Sequence, residues 1–242
     1  MGAVRIRVHT DDTKHHNNPQ VILVTPGHPF VSKTVMFLSA VWNLILTAPI
    51  HNYLHLQLPD VDVTLDPDTA HPDLILSEDG KKVRHGNIKQ YCPDYDKRFD
   101  KYMIVLGNKG FSSGRFYFEV QVKGKTQWSL GVARESINRK GALNMCPESG
   151  NWILWQSNAK EYKACESSPV SLSLNMKLQK VGVFVDYEEG LVSFYDVESR
   201  SHIYSFTGQF FTDKLYPFLR PWTNDAGKNA APMIISPVNY SE

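Results

Sequence analysis

The chain has 242 residues with an ordinary apolar share of 42%, long enough for one large domain with a sizeable core. Its 26 basic and 25 acidic side chains leave a formal charge of +1, so the overall balance points to neither nucleic acid nor an anionic membrane. Cys92, Cys146 and Cys165 are widely spaced and odd in number, which suits neither a disulfide framework nor a zinc site and indicates a reducing, cytoplasmic setting.

Residues 1–58 differ in texture from the rest and read as an N-terminal extension of unknown role, poorly structured or partly helical. They contain six of the nine histidines. The apolar run at 35–50 includes Ser39, Asn43, Thr47 and Pro49 and falls short of the roughly 20 apolar residues that cross a bilayer. No membrane span is expected there, nor a signal peptide, because the run starts far from the N-terminus without a charged lead-in. His15, His16, His51 and His55 invite a metal reading, but no carboxylate or third ligand stands near them. They are expected to be surface histidines. Leu54, Leu56 and Leu58 alternate ahead of Pro59 as a short strand or a linker.

From Pro59 onward short alternating runs are separated by turn residues, with almost no helical periodicity. Asp66, Pro67 and Asp68 mark a turn, 74–76 a strand, and Asp79 with Gly80 a hairpin turn into 82–84. A polar, aromatic loop at 91–100 leads to a strand at 102–106. Along 115–122 Phe116, Phe118, Val120 and Val122 take one face, and Arg115, Tyr117, Glu119 and Gln121 the other. Strands follow at 127–133, 152–156, 202–206, 216–219 and 233–235. The organising stretch is 180–197, where two apolar runs flank a polar loop closed by Gly190, a hairpin signal with glycine where a positive φ is needed. Val181, Val183 and Val185 are assigned to one face and Phe184, Val192 and Phe194 to the other, so the pair is expected to be central and buried. About a dozen such strands predict an all-β, bent two-sheet antiparallel β-sandwich.

The blocks LDPDTAHPDLILSEDGKKV, FSSGRFYFEVQV, WSLGVARESINRKG, GNWILW, KVGVFVDYEEGLVSFYDV and LYPFLRPW, in that order and spacing, resemble the PRY-SPRY domain of tripartite-motif proteins and butyrophilins. The resemblance covers about 60–238 and implies a PRY part near 60–109 and a SPRY part at about 110–238, within a domain spanning 59–242. Phe118 stands where the family more often has tryptophan, a core substitution. Residues 1–58 do not resemble the RING finger, B-box or coiled coil that precede this domain in tripartite-motif ubiquitin ligases, so ligase activity would need a longer product that supplies a RING.

Signals for catalysis are weak. Gly110 to Gly114 matches G-x-S-x-G, with Asp186 and His202 following in hydrolase order, but a strand rather than a helix follows the serines, so Ser112 and Ser113 are expected in a turn. Gly124, Lys125 and Thr126 end like a phosphate loop but lack its upstream glycine and following helix. Asp66, Asp68 and Asp73 lack the glycine and glutamate of a calcium loop. Asn239 with Ser241 is a glycosylation acceptor pattern of low information. No enzyme, cofactor or metal is expected.

What remains is a binding surface on the connecting loops. Tyr91, Tyr95 and Arg98 lie in one loop, Asn138, Arg139, Lys140 and Asn144 in a second, Trp155 and Tyr162 beside a third, and Trp222, Thr223, Asn224 and Lys228 in a fourth. Tyr, Trp and Arg are the types enriched at interface hot spots. Trp128 and Trp152 are expected in the core, and Trp222 exposed. The resemblance implies that such loops bind a target protein. The expectation is therefore a non-enzymatic recognition module contacting its partner through Tyr95, Arg98, Arg139, Lys140, Trp155, Tyr162, Trp222 and Asn224. By resemblance it would be the substrate-recognition end of a tripartite-motif ubiquitin ligase in innate immunity, cytoplasmic and monomeric, without nucleic acid or membrane. The alternative within the family is a butyrophilin-like sensor, membrane-anchored or not, that holds a phosphate-bearing small molecule with Arg134, Arg139, Lys140 and His85.

Overall fold

The computed structural model describes residues 61–237 except 87, 89, 91–94, 159 and 175. The expectations for residues 1–58, Tyr91, Cys92 and the glycosylation pattern at Asn239 lie outside the described residues.

Among the described residues, thirteen strands form two antiparallel sheets. They are β1 (Leu74–Leu76), β2 (Lys82–His85), β3 (Val105–Leu106), β4 (Arg115–Gln121), β5 (Trp128–Arg134), β6 (Asn151–Ser157) and β7 (Glu161–Ala164), then β8 (Val170–Leu172), β9 (Lys180–Asp186), β10 (Leu191–Asp196), β11 (Ser201–Phe206), β12 (Leu215–Arg220) and β13 (Met233–Ser236). The seven-stranded sheet runs β1-β2-β13-β4-β9-β10-β11 and the six-stranded sheet β3-β12-β5-β6-β7-β8. The predicted all-β sandwich is the observed architecture. Two strands escaped the sequence reading: β7 and β8 are four and three residues long, too short for their alternation to stand out. The expected strand at 102–106 shrinks to β3, because the segment before it bends away to cover the sheet.

The β9–β10 hairpin is buried as predicted, but it lies toward one side of its sheet, with β10 next to the edge strand β11; Gly190 has φ 63°. A Cβ on Gly190 would lie 1.9 Å from the carbonyl oxygen of Gln209, so both the turn and this close approach require glycine. The assignment of faces needs correction. Val192 lies opposite Val185 and Phe194 opposite Val183, and directly opposed residues share a face. All four therefore point inward. Phe184 lies opposite Tyr117 and Ser193 on the outer face and is only half-buried.

Between the sheets, Phe116, Phe118, Val120, Val183 and Phe194 meet Trp128, Leu130, Trp152, Leu154 and Leu219 in one continuous core. Trp128 and Trp152 are buried, as expected of core residues. The six-stranded sheet is apolar on its outer face too. There Ala133, Ile153, Cys165 and Phe218 pack with Phe99, Ile104, Ile137 and Leu143 from two long connections, residues 95–104 and 135–146. A sheet buried on both faces needs a cover, and these connections provide it.

Candidate binding surface

The surface is built on one row of the six-stranded sheet's outer face. Arg220 of β12 lies opposite Ser129 of β5, Ser129 opposite Trp155 of β6, Trp155 opposite Lys163 of β7, and Lys163 opposite Ser171 of β8. Strand alternation alone puts these side chains on the side away from the core. Beyond β12 the chain turns back over the row at Trp222. The indole donates its Nε1–H to Ser129 Oγ at 3.0 Å and stacks on Trp155 with centroids 5.9 Å apart and planes 8° from parallel. On its other neighbour the Arg220 guanidinium carbon sits 3.8 Å from the Trp222 centroid and 5.0 Å from that of Tyr102. Lys163 Nζ lies 5.6 Å from the Trp155 ring. The result is a strip in which two stacked indoles are flanked by Arg220 on one side and Lys163 on the other, each cation within cation–π range of its indole.

Trp222 is held with φ at 58°, a region bulky L-residues seldom occupy. Asn229, only 2% exposed, fixes the loop in that shape. Its Nδ2 donates to the carbonyls of Gln127, Pro221 and Thr223, and its Oδ1 accepts from the backbone N–H of Thr126 and Gln127. Lys125 reinforces the same foot, donating its ammonium to the carbonyls of Asn229 and Ala231. Burial pulls that ammonium down to about 8. Asn224, half-buried, caps the loop tip by accepting from the Gly227 N–H.

A second cluster forms where residues 95–100 meet 135–141. Lys140 donates to the Tyr95 carbonyl, Arg139 to the carbonyls of Lys97 and Glu135, and Asp100 accepts from the Gly141 N–H. Arg139 also lies 5.9 Å over the Phe99 ring. Tyr95 is 48% exposed, while Arg139 and Lys140 are half-buried with their heads on carbonyls. Tyr102, from the same 95–104 connection, reaches Arg220 and so links this cluster to the strip.

Of the eight residues singled out from sequence, six have at least part of their surface in contact with solvent here: Tyr95, Arg139, Lys140, Trp155, Trp222 and Asn224. Two are corrected. Arg98 is 7% exposed and donates to the carbonyls of Pro67 and Ala70, tying the first turn of the domain to this connection. Tyr162 borders no loop surface: it lies in β7, 3% exposed, with its ring 6.3 Å from Trp128 and its hydroxyl accepting from Gln156 Nε2 and the Leu178 N–H. Its outward neighbour Lys163 takes the surface position instead. Trp222, expected to be exposed, is half-buried because Arg220 and Trp155 cover its faces. Arg220, Tyr102, Lys163 and Asn229 were missed. For Arg220 a signal existed in the alternation of its strand; for the other three only the folded contact reveals the role.

The alternative anion set is dispersed. Arg134 donates to the Glu148 carbonyl beneath Gly150, Arg139 and Lys140 bind the carbonyls already described, and His85 belongs to β2 of the other sheet. The hydrolase-like set is likewise dispersed: Asp186 accepts from Arg115 Nε at 2.5 Å, His202 meets Ser205 Oγ at 2.7 Å, and Ser112 is exposed in the turn before β4. Among the described residues, no group of three or more His, Cys, Asp or Glu could hold a metal ion, and no helix is long and apolar enough to cross a membrane.

Two family models match the chain, a SPRY domain over residues 115–232 and a SPRY-associated domain, PRY, over residues 63–111. Human erythroid membrane-associated protein is 49% identical over 175 residues, 72% of this chain and 37% of its own length. The rat E3 ubiquitin-protein ligase TRIM69 is 47% identical over 173 residues, 72% of this chain and 34% of its own. Human pyrin is 47% identical over 178 residues, 74% of this chain and 23% of its own. The chain thus spans a minor part of each of these relatives. Among solved structures, the TRIM65 PSpry domain superposes with a TM-score of 0.64 at 20% identity, covering 78% of this chain and 96% of that one, and so shares the fold. With both models matched in order and three relatives near half identity, this chain belongs to the PRY-SPRY family, in the form carried by tripartite-motif proteins.

Proposed function

We propose that this chain recognises a target protein through the strip Tyr102–Arg220–Trp222–Trp155–Lys163 and the adjoining Tyr95, Arg139, Lys140 and Asn224. The observation that supports it best is the Trp155–Trp222 stack, half-buried and held on a rigid sheet with a cation at each end. Rigid aromatic groups with polar edges lose little entropy on binding and bury large areas, which is the usual make-up of a hot spot. Nothing in the row supplies a nucleophile paired with a base, so the chemistry on offer is recognition.

The setting follows the relatives. One is named an E3 ubiquitin-protein ligase, and in such a protein a domain of this kind would select what is modified. We assign this chain the same role, in the cytoplasm and in innate immunity, where a longer product supplies the RING. The test is quantitative affinity purification with wild type, Trp155→Ala and Trp222→Ala proteins of matched thermal stability. A partner set captured by wild type and lost with both variants is the expected result. Equal capture by all three would remove the strip from the interface.

A further inference from the structure

Arg220 is the anomaly of the strip. It is 9% exposed, yet among the described residues no carboxylate lies within ion-pair distance and no oxygen accepts a hydrogen bond from it. Its Nε is buried without any partner, and so is Trp155 Nε1 on the same row. Both orphan atoms are donors, and the nearby Lys163 adds positive charge. The acids that flank Lys163 in the chain are engaged elsewhere: Glu161 accepts from Ser157 and Glu166 from Tyr204. The surface therefore has a surplus of donors and cations and a shortage of acceptors.

From this we infer that the Arg220 site receives a carboxylate of the bound protein, an Asp or Glu side chain or a chain terminus; the inference rests on the reading of the strip as the contact surface. Geometry selects the ligand. The Trp222 and Tyr102 rings crowd the guanidinium, with centroids 3.8 and 5.0 Å from its carbon, and its N–H hydrogens lie in its own plane, so an acceptor is met in that plane. A planar carboxylate meets such a fork edge-on with two parallel hydrogen bonds. A tetrahedral phosphate would extend out of that plane toward the rings. A buried, partner-free cation is also poised for a charged rather than a neutral acceptor, because taking up a neutral group leaves the charge uncompensated.

The test captures the full-length chain on immobilised random heptapeptide pools with a fixed central residue. The pools carry Glu with an amidated end, Gln with an amidated end, Gln with a free end, or phosphoserine with an amidated end. Wild type is expected to bind the Glu pool about tenfold better than the amidated Gln pool. That ratio should fall to about one in Arg220→Gln while weak Gln-pool capture persists, and Trp222→Ala should lose every pool. Should Arg220→Gln fail to fold, the Glu-to-Gln ratio on wild type still decides. The free-ended Gln pool distinguishes the source: preference for it over its amidated form assigns a chain terminus, preference for Glu alone a side chain. Equal capture of all Glu and Gln pools, or phosphoserine bound above Glu, would overturn the carboxylate while leaving the strip as the contact surface if Trp222→Ala still abolishes capture. Capture unaffected by Trp222→Ala would overturn both.

Discussion

The ammonium of Lys125, in the turn between β4 and β5, donates to the backbone carbonyl of Asn229, 104 residues away in the chain. Through this pair the foot of the Trp222 loop is anchored to a turn in the body of the domain. The loop that presents the candidate surface is therefore set by buried polar contacts on its inner side, and each of these can be broken separately.

Asn229→Ala strips partners from the carbonyls of Gln127, Pro221 and Thr223 and from the N–H groups of Thr126 and Gln127. Buried groups left unpaired are costly, so the expected loss is about 2–4 kcal/mol in urea denaturation, with a red-shifted tryptophan emission as Trp222 loosens. An unchanged midpoint would mean that water takes over these bonds.

Lys125 makes stability depend on pH. Its folded value is about 8 against 10.5 for the free side chain. Between those values the unfolded chain binds more protons than the folded one, so the cost of burying the ammonium is full below pH 8 and is relieved as pH rises to 10.5. The relief amounts to at most about 3 kcal/mol, because the two carbonyl acceptors favour the charged form. Denaturation midpoints at pH 7.5 and 9.5 should show a rise in wild type that Lys125→Met lacks. Parallel pH profiles for the two proteins would contradict this.

The corrected hairpin faces separate two phenylalanines of like sequence environment. Phe194→Ala opens a void in the core, where the side chain is fully buried between Val183 and Phe206, and should cost about 3–5 kcal/mol. Phe184→Ala on the outer face should cost about 1–2 kcal/mol. Equal losses would put both on the same side of the sheet.

Trp222 combines strain with contact. Trp222→Ala removes the stack and the bond to Ser129 but leaves a Cβ at φ 58°; Trp222→Gly removes the same contacts and the strain. The glycine variant should be the more stable of the two by about 0.5–1 kcal/mol on thermal melting. The reverse order would show that the loop relaxes to negative φ once the indole is gone.

Much of the fold was legible because its signals are local. The alternation of Phe116, Phe118 and Val120, the two apolar runs either side of Gly190 and the turn at Asp79 and Gly80 need only neighbouring residues to be read. The face of Phe184 was misread because it depends on how four loop residues set the register of β10 against β9. Tyr162 was misplaced because β7, four residues long, is too short to announce a strand.

By itself, then, the sequence determined the all-β sandwich, its buried β9–β10 hairpin and its kinship, since each rests on periodicity, turn chemistry or ordered blocks along the chain. Tertiary structure alone decided the surface. Arg220, Ser129, Trp155 and Lys163 come from four strands and share one row only because of register. Trp222 lies on that row because Asn229 ties its loop to a turn about a hundred residues earlier. Such contacts depend on which distant segments the fold brings together, and no local pattern of residues encodes that.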